Sequence, residues 1–162
     1  MKRIRLSAYI TCLFLLAFSS CREQFEPEPF TYSQLLTGKV SKTWRLTGIS
    51  ILEDGAPTQN IPVQDNDCAF DDRYVFYANE EKKFEVQNGA TKCDESEGDI
   101  VVTDIWAFSN ANATLEMILP ILSIDTRLPF IVKSLKDDRL SMEIFFDGGS
   151  YRFVLQAVKT QD

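Results

Sequence analysis

The chain contains no histidine. That single absence removes the usual general base, the side chain that most often titrates near neutral pH and the commonest transition-metal ligand. Ser-His-Asp and Cys-His catalytic arrangements cannot be assembled, and no Gly-rich phosphate loop follows a strand-like segment. Acidic residues are too plentiful for any pair to stand out as a glycosidase couple. The sequence therefore reads as a non-enzyme with no cofactor and no metal site. Basic residues are also in the minority, 17 Lys and Arg against 24 Asp and Glu, giving a formal charge of −7. A chain this acidic is disfavoured as a nucleic-acid binder, and by net charge alone it is repelled by anionic lipid surfaces.

There is no apolar run of the roughly 20 residues that a membrane-crossing helix needs. A shorter one, over residues 6–18, follows the cations Lys2, Arg3 and Arg5 and precedes Ser19, Ser20 and Cys21. Charged, apolar and small residues in that order read as a secretory signal peptide. The tetrad Phe18-Ser19-Ser20-Cys21 resembles the lipobox of bacterial lipoproteins, with Phe18 where Leu is commonest. The resemblance implies that residues 1–20 are removed and that Cys21 becomes the acylated first residue. Each buried acyl CH₂ then contributes roughly 0.8 kcal/mol to membrane binding. Losing the signal moves the formal charge from −7 to −10, since its three cations leave with no acid.

Of the 4 cysteines, Cys12 departs with the signal and Cys21 is taken by lipid, leaving Cys68 and Cys93. In an oxidising compartment two remaining thiols are expected to pair, closing a loop worth about 3 kcal/mol on the chain-entropy account. Residues 21–34 form the lipidated Cys and an extended tether, in which Glu23, Glu26, Pro27, Glu28 and Pro29 show no apolar period. A tether of about ten residues reaches at most roughly 35 Å. Arg22, in the second mature position, lacks the Asp that retains lipoproteins at the inner membrane of enterobacteria. Outer-membrane residence, on the periplasmic face or the cell surface, is the expectation.

Residues 35–162 form the body. A short helix is expected over 31–42, with Tyr32, Leu35 and Leu36 on one face. Beyond it the pattern is alternation with a period of two, punctuated by turn residues. It is clearest where Leu140, Met142, Ile144 and Phe146 alternate with Arg139, Ser141, Glu143 and Phe145. Asp147-Gly148-Gly149-Ser150 then turns the chain into a second alternating run over 151–158. Further strands are expected over 44–52, 73–78, 83–87, 100–108, 114–119 and 130–135. Eight consecutive short strands with tight turns predict a single antiparallel up-and-down β-barrel, which leaves no open edge.

The body resembles the lipocalin-like lipoproteins of the Bacteroidetes. The resemblance is carried by Leu36-Thr37-Gly38-Lys39 followed by Trp44-Arg45-Leu46, by Cys68-Ala69-Phe70-Asp71-Asp72 leading into Tyr74-Val75-Phe76, and by residues 130–140. It implies a barrel able to hold a small apolar ligand, and a late-strand cation, Arg152, stacked on Trp44. Asp104, Trp106 and Phe108 are the candidate ligand contacts. If the two rings point inward then Asp104 does as well; in the opposite register Val101, Thr103, Ile105 and Ala107 line the interior. Asp65, Asn66, Asp67, Asp71 and Asp72 form an acidic cluster that the expected disulfide brings to Asp94, Glu95, Glu97 and Asp99. It lacks the EF-hand order and reads as a solvated loop. The rival functional class is an accessory subunit of an envelope complex, acting through outer residues such as Phe145, Val154 and Val158.

Overall fold

The structure, a computed structural model, describes residues 31–63, 67, 68 and 70–159. Cys21, the signal, tether residues 22–30 and the Asp65-Asn66 pair lie outside the described residues, while residues 31–34, expected to end the extended tether, are the cap and first turn of a helix.

The helix α1 spans Tyr32–Thr37 and is shorter than its sequence pattern. Thr31 caps it: its hydroxyl accepts from the Gln34 amide at 3.3 Å, and the Gln34 side chain returns to the Thr31 amide at 3.1 Å. Gly38 ends it at φ +65°, a conformation an L side chain adopts only at a cost. The chain then enters β1 (Ser41–Glu53), so the residues expected to extend the helix begin a strand instead.

After β1 come β2 (Gln59–Ile61), β3 (Arg73–Tyr77), β4 (Lys83–Gln87), β5 (Ile100–Ile105), β6 (Ala107–Ser109), β7 (Thr114–Leu119), β8 (Ser123–Leu135), β9 (Arg139–Phe146) and β10 (Gly149–Ala157). Every pairing is antiparallel. The order β5-β4-β3-β1-β10-β9-β8-β7-β6 describes a nearly closed barrel, with β2 flanking β1. The path begins and ends on neighbouring segments of one stretch of chain. The strand expected over 100–108 breaks at Trp106, so that β5 pairs with β4 and β6 pairs with β7. One bent strand therefore closes the sheet on itself.

Alternation fills the interior. Trp44, Tyr74, Phe76, Phe84, Phe130 and Phe153 are all fully buried, with Leu46, Leu115, Met117, Leu119 and Leu140 between them. Each such side chain contributes roughly 1.5–3 kcal/mol by leaving water. Leu36 of α1 joins the same core and closes one end of the barrel. The Trp44 indole donates to the Leu36 carbonyl at 2.8 Å, and the Lys42 ammonium donates to the Leu35 carbonyl at 2.9 Å. The turns after β3, β6 and β8 lie at this helix-capped end. The turn at Asp147 and Gly148 and the loop after β4 lie at the far end.

Candidate functional site

Of the residues chosen from sequence as ligand contacts, Trp106 is buried in the core, and Asp104 and Phe108 are half-buried. Val102 and Trp106 point inward, which places Asp104 on the inner side and Thr103 and Ile105 outside. Trp106 sits in an aromatic stack, with ring centres 6.4 Å from Phe76 and 5.6 Å from Phe108. Its indole donates to the Tyr77 carbonyl at 3.1 Å. Asp104 lies where β5 parts from β7 and is held by Arg127 of β8. The guanidinium bonds keep its carboxyl below the usual carboxylate range.

The expected stacking of Arg152 on Trp44 is not formed. Trp44 stands opposite Ala157 on β10, whereas Arg152 stands opposite Ser50, much further along β1. The Arg152 guanidinium instead grips Glu143 on the outer face, with Nε to Oε1 at 2.7 Å. Lys133 approaches the other oxygen of that buried carboxylate at 3.5 Å. The cation beside Trp44 is Lys42, 5.4 Å from the ring centre. The aromatic ring does receive a cation, but from its own strand.

Cys68 and Cys93 form the expected disulfide, with Cα atoms 5.0 Å apart. It is one of three ties between the segment before β3 and the segment after β4. Asp71 Oδ2 accepts from the Thr91 amide at 2.8 Å, and the Asp72 carboxylate accepts from the Gly89 amide. Gly89 is required by space: a Cβ there would lie 2.3 Å from Asp71 Cγ. Asp71 and Asp72 are thus buried clamps, not the solvated loop residues their composition implied. Burial, aided by the charges of Asp71 and Glu97, pushes the Asp72 carboxyl up to about 6. Tyr74 lies inside the barrel below them, and burial, with the Asp72 charge, raises its phenol too. Asp71 Oδ1, Asp72 Oδ1 and the Tyr74 hydroxyl are buried without a hydrogen-bond partner among the described residues. No group of three or more acidic, Cys or His side chains is arranged to hold a metal ion among the described residues.

Two depressions are grooves on the outside and at the rim. One, of about 380 Å³, runs over β3, β1 and β10 and is lined by Arg45, Thr47, Arg73, Gly89 and Gln156. A second, of about 400 Å³, lies between α1 and the turn after β3, bordered by Gln34, Lys39, Asn79 and Lys82. Sequence reading missed both, because each is assembled from segments far apart along the chain. Of the surface residues singled out from sequence, Phe145 and Val158 are exposed, but at opposite ends of the barrel. Val154 is half-buried over Gly48. They do not make one patch. No family model and no curated protein matches this chain.

Proposed function

We propose that this chain is an envelope lipoprotein, anchored through Cys21, whose barrel works through its outer surface as a binding or accessory module. The observation that carries this reading is the packing of the barrel interior. Trp44, Tyr74, Phe76, Phe84, Phe130 and Phe153 occupy the space that a carrier of apolar ligands leaves open. Leu36 stoppers the end from which α1 enters. The signal-like amino terminus, the lipobox-like tetrad and the disulfide expected of an exported chain support the address. Arg22 favours the outer membrane.

Two experiments test the two halves. Titration of the mature chain with an apolar fluorescent probe, N-phenylnaphthylamine, is expected to give no saturable signal. Uptake of one probe per chain would return the lipocalin-like carrier reading, with Asp104, Trp106 and Phe108 as the first positions to vary. Metabolic labelling with an alkynyl fatty acid is expected to mark the wild-type protein and not Cys21→Ser. Equal labelling of both would remove the anchor.

A further inference from the structure

The barrel's sheet parts at the end away from α1. β8 and β9 pair from Leu135 and Leu140 as far as Ile131 and Glu143, where their ladder stops. Beyond that point β8 keeps only β7, through Phe130, Pro129 and Leu128, while β9 keeps only β10, through Ile144, Phe145 and Phe146. Pro129 stands just past the last pair and has no N–H to offer a ladder. β8 then bulges, because residues 124–127 lie between the pairs Leu128–Met117 and Ser123–Leu119, opposite Ile118 alone. One edge of β9 is therefore left without a strand beside it over residues 144–146.

Natural sheets guard such edges with Lys, Pro or an inward-pointing charge. This edge carries Ile144, Phe145 and Phe146 instead. Phe145 keeps 62% of its surface exposed, and Ile124 in the bulge keeps 57%. An apolar edge left open in this way is a template for another chain. The charge around it selects that chain. Phe145 and Phe146 border a groove of about 400 Å³ with Glu53 and Asp54. Asp147 follows the two rings, Asp125 follows Ile124, and all four acids are exposed. None of the four has an ion pair among the described residues. The cations of this end are already engaged, Arg127 with Asp104, Arg152 with Glu143 and Lys92 with Asp99. An acidic rim around apolar anchors attracts a segment that carries Lys or Arg between apolar residues. It repels a second copy of the same acidic end.

We propose that the open edge of β9 accepts an extended, cationic segment of a partner protein as an added strand. Main-chain hydrogen bonds to residues 144–146 hold the segment, its apolar side chains meet Phe145 and Ile124, and its cations lie among the four acids. The proposal rests on the reading that the barrel acts through its outer surface, and it names the chemistry of the partner.

Fluorescence anisotropy of a short labelled peptide alternating Lys and Val, titrated with the mature chain, tests it. Saturable binding is expected, weakened about tenfold or more in Phe145→Ser. It is expected to be unchanged in Val158→Ser, which alters an exposed apolar side chain at the opposite end. Should Phe145→Ser melt below the wild type, Ile124→Ser reads the same contact. Asp125→Asn with Asp147→Asn is expected to weaken binding and flatten its salt dependence. The same peptide N-methylated at alternate residues keeps its side chains but loses the donors of one edge, and is expected not to bind. Amide exchange within residues 144–146 is expected to slow when the unmodified peptide binds. No binding of that peptide, equal binding of a Glu and Val analogue, indifference to Phe145→Ser, or undiminished binding of the N-methylated form overturns the proposal. A dimer in sedimentation velocity that Phe145→Ser dissolves also overturns it, by assigning the edge to a second copy. Uptake of the apolar naphthylamine probe by Phe145→Ser and wild type alike overturns the surface reading itself, whatever the peptides do. Failure of the peptides without probe uptake overturns the added strand alone.

Discussion

Asp104 on β5 and Arg127 on β8 meet where the barrel's backbone ladder is interrupted, with Nη2 to Oδ1 at 2.8 Å and Nε to Oδ2 at 3.1 Å. Neither strand pairs with the other, so a side-chain fork spans the seam that main-chain hydrogen bonds leave. The pair is part-exposed, with side-chain exposures of 34% for Arg127 and 22% for Asp104, which bounds its worth to about 0.5–1 kcal/mol. Arg127→Ala is expected to lose that amount in urea unfolding and to speed amide exchange along β5. The Asp104 carboxyl is held low, so its contribution is complete above the ordinary carboxylate pKa and vanishes as pH falls through the folded value. A double-mutant cycle with Asp104→Asn showing no coupling at neutral pH would leave the seam without its fastener.

Asp72 behaves in the opposite sense. Its folded pKa of about 6 stands above the model-peptide value of 3.8, so the native state binds a proton that the unfolded chain has released. Stability from this group is complete below about pH 4 and lost as pH rises through 6. The loss has an upper bound of about 3 kcal/mol. Asp72→Asn is expected to flatten the stability profile between pH 4 and 7. An unchanged slope in that variant would assign the pH dependence elsewhere.

The turn between β6 and β7 runs through Asn110, Ala111 and Asn112 at φ of 50°, 53° and 68°. Asparagine tolerates this left-handed region, whereas alanine lacks the side chain that compensates it. The Asn110 amide donates to the Thr114 hydroxyl at 3.0 Å and holds the turn in place. Ala111→Gly is expected to stabilise the protein by about 1 kcal/mol, read as a rise in urea midpoint at constant m. A loss of stability would show that flexibility gained by the unfolded chain outweighs the strain relieved.

Cys68 and Cys93 enclose a separation of 25 residues. Cys68→Ser with Cys93→Ser is expected to cost about 3 kcal/mol. Protease nicking after reduction is expected to concentrate between β4 and β5, where the Asp71 and Asp72 clamps alone remain.

Much of the barrel was legible from residues one at a time. Alternation over 139–146 and 151–158 located two strands because one face of each is in the core, and period two follows from that. The first half of β8 escaped because Asp125, Thr126 and Arg127 are exposed on both faces and Pro129 interrupts the pattern. The helix was read too long because Lys39 and Lys42 look helical, although Gly38 had already turned the chain. The expected pairing of Arg152 with Trp44 does not form, since which β10 residue stands beside the ring is set by strand register, and Arg152 falls opposite Ser50. The same reason hid the open edge of β9, which exists only because its ladder with β8 stops at Ile131 and Glu143.

The plug formed by α1 gives the molecule a direction of mechanical weakness. A pull on the chain before Thr31 reaches the barrel through the six residues of α1, seated by Leu36 and fastened by two side-chain bonds to its last turn. Such a pull peels those bonds one at a time, whereas β1 and β10 share a long ladder that must shear as a unit. Under tension the helix would therefore leave first, and the chain would lengthen while the barrel behind it stayed folded.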